Sequence, residues 1–239
     1  MTDNNKQIAL VTGASRGIGA ALALNLASLG YHVILVARTV GALEALDDRI
    51  QEIGGSATLL PLDITNEVAV QKSCLMIFNR WKKIDVWVHT AIHAPALSPT
   101  DHIDSKELSK TITTNAIATS LLIVNLSPLL KQSKNGKEIF FNDNTIHKKY
   151  HVAYGVSKMA QLFLVKSWQS ENQQKSLQII IAEPTPMATK TRELADFILE
   201  EGIGGDADIA IQSKPHIIPG VLYPAVAGKL LDGTTALSA

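Results

Sequence analysis

Six short apolar runs alternate with longer stretches in which apolar side chains return at helical spacing, and this alternation narrows the possible folds more than any other feature of the chain. The runs cover residues 8–11, 33–36, 57–62, 84–88, 138–141 and 177–181. They are mostly apolar at successive positions rather than at every second one, as strands covered on both faces require. Helical periodicity fills residues 18–29, 40–53, 66–81, about 105–130 and about 152–170. Strands of this kind separated by helices predict an α/β fold: one doubly wound, Rossmann-type parallel sheet with helices on both faces. No linker rich in Pro, Gly or Ser divides the chain, so a single domain is expected over residues 1–239. The segment 187–214 differs, with helical sequence followed by Gly202, Gly204, Gly205 and polar residues, and is expected to form a substrate lid.

Between the first run and the first helix lies Thr12-Gly13-Ala14-Ser15-Arg16-Gly17-Ile18-Gly19. Glycines at 13, 17 and 19 let the backbone turn tightly and approach a phosphate, and a helix start supplies free N–H groups and a positive dipole end. This context predicts a dinucleotide site. Sites of this type that prefer NAD often carry an acid after the second strand to hold the ribose 2′-OH. Here that place reads Val36-Ala37-Arg38, and Arg16 adds a second cation. Guanidinium groups suit a 2′-phosphate, so NADP(H) is expected over NAD(H).

Composition removes several other function classes. Lys+Arg and Asp+Glu are 22 each, so no global charge favours nucleic acid or a membrane surface as a partner. Cys74 is the single cysteine, which excludes an intrachain disulfide and a CxxC site; its helical context predicts an apolar packing role. No run reaches 18 uninterrupted apolar residues, and residues 1–6 are polar without a signal-peptide core, so a cytoplasmic location is expected. His89 and His93 read as strand-end and loop residues, and no metal site is expected, because neither they nor His147 and His151 have adjoining ligands.

Tyr154-Gly155-Val156-Ser157-Lys158 adds the chemistry. On a helix, positions i and i+4 share a face. A phenol titrates near pH 10, and an ammonium about 4 Å away at an effective dielectric near 20 favours its anion by on the order of 4 kcal/mol. The glycine loop together with Tyr-x-x-x-Lys resembles the short-chain dehydrogenase/reductase family, over nearly the whole chain. The resemblance implies an oxidoreductase that moves a hydride between a nicotinamide and a small-molecule carbonyl or alcohol. It implies Tyr154 as proton donor and Lys158 as its partner and a holder of the nicotinamide ribose. It further implies Asn115 as support for a proton relay. Cofactor contacts are implied at Gly13, Ser15, Arg16, Gly17, Ile18, Gly19, Asp63 and Ile64, with Pro184 and Thr189 near the nicotinamide. Related enzymes assemble through their long helices. Apolar residues such as Leu121, Leu122, Leu162, Phe163 and Trp168 therefore lead to the expectation of a homodimer or homotetramer.

The sequence departs from the family pattern at the nicotinamide end. The serine usual at the end of the fifth strand is absent, and either Asn142 or Asp143 stands in its place. His89-Thr90-Ala91-Ile92 replaces the usual Asn-Asn-Ala-Gly, and Pro184-Thr185 replaces Pro-Gly. These changes leave a second reading open, a nearly inactive or non-catalytic NADP(H)-binding protein on the same fold.

Overall fold

The computed structural model describes residues 6–143, 149–172 and 177–182. Six strands, β1 (Ile8–Thr12), β2 (His32–Ala37), β3 (Ser56–Pro61), β4 (Val86–His89), β5 (Lys137–Phe141) and β6 (Gln178–Ala182), form one sheet in the order β3-β2-β1-β4-β5-β6. Every pairing is parallel, as the apolar runs predict. The connecting helices are α1 (Gly17–Ser28), α2 (Val40–Glu52), α3 (Glu67–Trp81), α4 (Ser105–Ile112), α5 (Ala118–Leu130) and α6 (Val152–Glu171).

Side chains alternate across the strands, so the sheet feeds two cores. On one face Ile8, Leu10, Trp87 and Phe140 pack with Val70 and Ile77 of α3, Leu122 and Leu126 of α5, and Trp168 of α6. On the other, Ala9, Val11, Val33, Leu35 and Val88 pack with Leu22 and Leu26 of α1 and Leu43, Leu46 and Ile50 of α2. At the start of the sheet the buried Asp85 carboxylate accepts from Ile8 N at 2.8 Å, Ser133 Oγ at 2.6 Å and Lys83 Nζ at 2.9 Å, which ties β1 to the approaches of β4 and β5.

Two expectations need correction. The helix read over about 105–130 is one helical run but not a uniform one: Thr113–Ile117 forms a π turn between α4 and α5. A π turn has no apolar-period signature of its own, and here it carries the buried Asn115. Second, Leu122 and Trp168, expected on an outward helix face, belong to the intramolecular core. The apolar side chains left outside on these helices are Ile117, Val124, Val156, Met159 and Phe163. Among the described residues the run Ser105–Leu130 is long and apolar enough to cross a membrane by length and composition. Here its apolar side, including Leu122, Leu126, Leu129 and Leu130, covers the sheet.

One buried acid stands apart from the polar pairings. Glu138, fully buried in β5, lies in register with Trp87 of β4, and neither its carboxyl oxygens nor Trp87 Nε1 have a hydrogen-bond partner among the described residues. Burial pushes the Glu138 carboxyl well above the ordinary carboxylate range, so the folded state keeps it protonated. The folded state then binds a proton that the unfolded chain releases. The associated stability is present below the unfolded value and lost as pH rises toward the folded one. Glu138→Gln is therefore expected to be more stable than wild type at pH 8, by on the order of 1–3 kcal/mol, with the gap closing toward pH 4. Chemical denaturation at the two pH values measures this; equal stabilities at pH 8 would contradict a neutral buried acid.

Candidate active site

In this strand order the winding reverses between β1 and β4, and the loops that leave them diverge to open a crevice at the C-terminal sheet edge. The glycine loop lines it. Gly13 has φ +78°, and a Cβ there would lie 2.6 Å from Ala91 N. A Cβ on Gly19 would strike the Gly13 carbonyl oxygen and Thr90 Oγ1. Gly17 has φ +56°. The loop is anchored because Gly13 N and Ala14 N both donate to Val36 O, at 2.9 and 3.1 Å. Thr90 donates to Thr12 O through both its N–H and its hydroxyl, at 3.0 and 2.7 Å. Thr90 therefore locks the loop at one of the positions that depart from the family pattern.

The first turn of α1 carries no acidic residue, and its N-cap, Arg16, offers no side-chain cap. That leaves the helix start suited to an anion. Arg38 is exposed just after β2, and Asp63 just after β3. Burial raises the Asp63 pKa, but hydrogen bonds from Thr65 N and Oγ1 at 2.9 and 2.8 Å, and the Arg38 charge, bring it below the usual value. Ser15 and Ile18 are half-buried in the loop, and Ile64 is buried beneath the crevice. Glycine positions that admit no side chain, an uncapped helix start and two arginines fit a dinucleotide.

The other half of the crevice gathers Asn115, Asp143, Tyr154 and Lys158. Tyr154 and Lys158 lie one turn apart on α6, and the Tyr154 hydroxyl donates to Asp143 Oδ2 at 3.2 Å. Of the two positions left open at the end of β5, Asp143 is therefore the one whose carboxylate meets the phenol. Asn142 extends the ladder instead, its N–H donating to Ala182 O at 2.8 Å. Lys158 is buried, and its Nζ donates to Phe141 O at 2.7 Å and to Gln161 Oε1 at 2.5 Å. Burial pulls the ammonium down to about 8, with Asp143 acting in the opposite sense.

The Asn115 side chain is a clip. Its Oδ1 accepts from His93 N at 2.7 Å, and its Nδ2 donates to His93 O at 2.8 Å and to Ser157 Oγ at 2.9 Å. The loop after β4 is thereby fixed to α6, one turn from Tyr154. Pro184, Thr189, His147 and the segment 187–214 lie outside the described residues.

Sequence reading missed the buried chain behind Lys158. Gln161 Nε2 donates to Thr119 Oγ1 at 2.9 Å, and Thr119 Oγ1 donates to Asn115 O at 2.7 Å. His89 Nε2 also meets Thr119 Oγ1, at 2.9 Å, and His89 Nδ1 meets Thr12 Oγ1 at 2.7 Å. The Thr119 hydroxyl donates to Asn115 O and the Thr12 hydroxyl to Val88 O at 3.3 Å, so the His89 ring is held between two hydroxyls that are themselves anchored to the backbone. Burial, then the Lys158 charge, holds His89 down to about 3, which keeps the ring neutral. A polar Gln161 three residues after Lys158, among apolar helix positions, was the available signal.

Comparison with known proteins identifies the family. The family model described as short chain dehydrogenase matches residues 7–196. A fatty acyl-CoA reductase of Acinetobacter baylyi is 32% identical over 134 residues, covering 56% of this chain and 45% of that protein. The chain thus spans less than half the length of that relative. An uncharacterised oxidoreductase of Listeria innocua is 30% identical over 203 residues, 84% of this chain and 81% of its own. A metagenomic short-chain oxidoreductase solved in complex with NADP superposes with a TM-score of 0.71 at 29% identity, covering 84% of this chain and 92% of that one.

Gln161→Leu removes one acceptor from a buried ammonium and one donor from Thr119. It is expected to lower stability by about 1–3 kcal/mol. An unchanged denaturation midpoint would show that this chain of contacts does not stabilise the fold.

Proposed function

The chain belongs to the short-chain dehydrogenase family, and we propose that it is an NADP(H)-dependent oxidoreductase that moves a hydride between the nicotinamide and a carbonyl or secondary alcohol. The observation that carries this reading is the placement of Tyr154 and Lys158 on one turn of α6, at the same sheet edge as the glycine loop. When bound, the nicotinamide supplies the hydride. Backbone N–H groups at the start of α1 would hold its pyrophosphate, Arg16 and Arg38 the 2′-phosphate, and Asp63 and Ile64 the adenine side. Tyr154 would give its proton to the substrate oxygen as negative charge grows there. Lys158 would favour loss of that proton and hold the ribose, and Asn115 would keep the loop after β4 against α6. Pro184 and Thr189 complete the proposed cofactor contacts, and 187–214 the proposed lid.

A specific observation favours a second reading, a cofactor-binding protein with little turnover. The Tyr154 hydroxyl is engaged by a carboxylate rather than by a neutral hydroxyl, and Lys158 is held by Phe141 O and Gln161. Slow turnover of generic ketones is accordingly expected.

Titration with NADPH and NADH, and a carbonyl panel with and without Tyr154→Phe, test the proposal together. Two charge-assisted contacts support a preference for NADPH of about tenfold or more, reduced in Arg38→Asp. Tyr154→Phe should abolish carbonyl turnover and leave NADPH affinity within about threefold, because the phenol serves the reaction step. Tighter NADH binding would overturn the cofactor assignment, and undiminished turnover in Tyr154→Phe the assignment of the acid.

The proposal includes a homodimer or homotetramer built on the outward residues of α5 and α6, with Val124 68% and Phe163 74% exposed. Light scattering at micromolar concentration should give a multiple of the 25.8 kDa chain mass. A monomer would refute it.

A further inference from the structure

The buried positions of α6 are small or apolar apart from Ser157, Lys158 and Gln161. A buried glutamine is costly unless both ends of its amide are bonded. Gln161 meets that condition. Its Oε1 accepts from Lys158 Nζ at 2.5 Å, three residues back on the helix, and its Nε2 donates to Thr119 Oγ1 at 2.9 Å. An ammonium accepts nothing, so the amide has one orientation, with its oxygen toward Lys158.

The ammonium carries three N–H bonds in tetrahedral array. Phe141 O takes one at 2.7 Å and Gln161 Oε1 takes a second. Two fixed directions fix the third, so the place of Gln161 determines where the remaining N–H points. Of the two acceptors, Phe141 O belongs to the backbone and would be present with any residue at 141. Gln161 Oε1 depends on residue type alone. The ionisable groups around the ammonium are Asp143 from the end of β5, His89 from the end of β4 and Tyr154 one turn away on α6. Asp143 favours the charged form of Lys158, and His89 is held neutral. Burial works against that charge and pulls the ammonium down to about 8, so each acceptor bears on how much of it stays charged near neutral pH.

We infer that Gln161 is a positioning residue for the proposed hydride transfer, its amide oxygen fixing the direction of the Lys158 ammonium and supporting its charge. The inference rests on that reading of the crevice, and Gln161 acts on Tyr154 and on the ribose only through Lys158. With an apolar side chain at 161 the charged lysine loses one of its two bonded acceptors and gives up its proton at lower pH. A carboxylate at 161 sets an opposite charge against the ammonium, which then keeps its proton to higher pH. A glutamine that only filled space would give no such opposed shifts.

The test uses the full chain with Gln161→Met and Gln161→Glu, both close to glutamine in length. The Lys158 titration is followed without cofactor by NMR on protein labelled with 13Cε-lysine, the signal assigned by its loss in Lys158→Arg. Its midpoint should fall by about one pH unit in Gln161→Met and rise by about one in Gln161→Glu, as a tenfold change in ionisation constant from one bond to a charged group supports. With NADPH and the carbonyl panel, the alkaline limb of kcat should move in the same two directions. That limb reports the coupled Tyr154 and Lys158 pair rather than either residue. Titration midpoints that stay in place, or move the same way in both variants, would overturn the role of Gln161. Opposed midpoints with an unmoved alkaline limb would show that Gln161 holds the lysine without positioning it for the reaction, which also overturns the inference. A wild type that binds NADPH and reduces nothing in the panel would overturn the hydride-transfer reading, and the titration alone would then decide whether Gln161 governs Lys158.

Discussion

The site is organised around one buried ammonium. Lys158 is sequestered on α6, and a cation in that environment persists only where acceptors surround it. Phe141 O supplies one at the end of β5, and Gln161 Oε1 the other from the next turn of α6. Gln161 must then place its amide N–H, and Thr119 receives it; Thr119 passes its own hydrogen to Asn115 O, whose carbonyl sits in the π turn. The need to satisfy a single charge thus couples β5, α6, the π turn and, through His89, the last residue of β1. Because these buried groups satisfy one another in a connected network, the crevice wall has little freedom to rearrange.

The two ends of the crevice are built on different principles. At the glycine loop the limit is steric. Positions 13 and 19 exclude a side chain because Thr90, Ala91 and the loop's own carbonyl already occupy the space, so the backbone is brought to the surface where a phosphate can meet it. At α6 the limit is electrostatic. A phenol, a carboxylate and an ammonium are held within one cluster. The departures from the family pattern fall differently on these ends. Thr90 strengthens the steric end by binding Thr12 O twice, whereas Asp143 sets a carboxylate against the Tyr154 hydroxyl.

Most of the fold was legible in the chain. Six doubly buried strands and their helices were readable because burial on both faces leaves no polar alternation, and parallel pairing with right-handed crossovers follows from that. The glycine loop, Tyr154, Lys158 and Asn115 were legible for a similar reason: backbone reach and helical spacing are local properties. The π turn was not, since no residue type marks it and a phase shift within so short a span is not separable from ordinary scatter in the apolar pattern. The outward face of α6 was misjudged at Trp168, because apolarity at helical spacing does not tell which of two adjacent faces meets the sheet.

The sequence by itself determined the architecture, the glycine loop and the presence of a phenol and an ammonium one turn apart, because each depends on residues close together in the chain or on a repeating pattern of burial. Only the tertiary structure set the Asp143 carboxylate against the Tyr154 hydroxyl, made Asn115 a clip on the loop after β4, and joined Lys158 to Gln161, Thr119 and His89. Those are contacts between side chains far apart in sequence. Their pairing depends on where β4, β5 and α6 end relative to one another, and strand register and helix placement set that, not residue type.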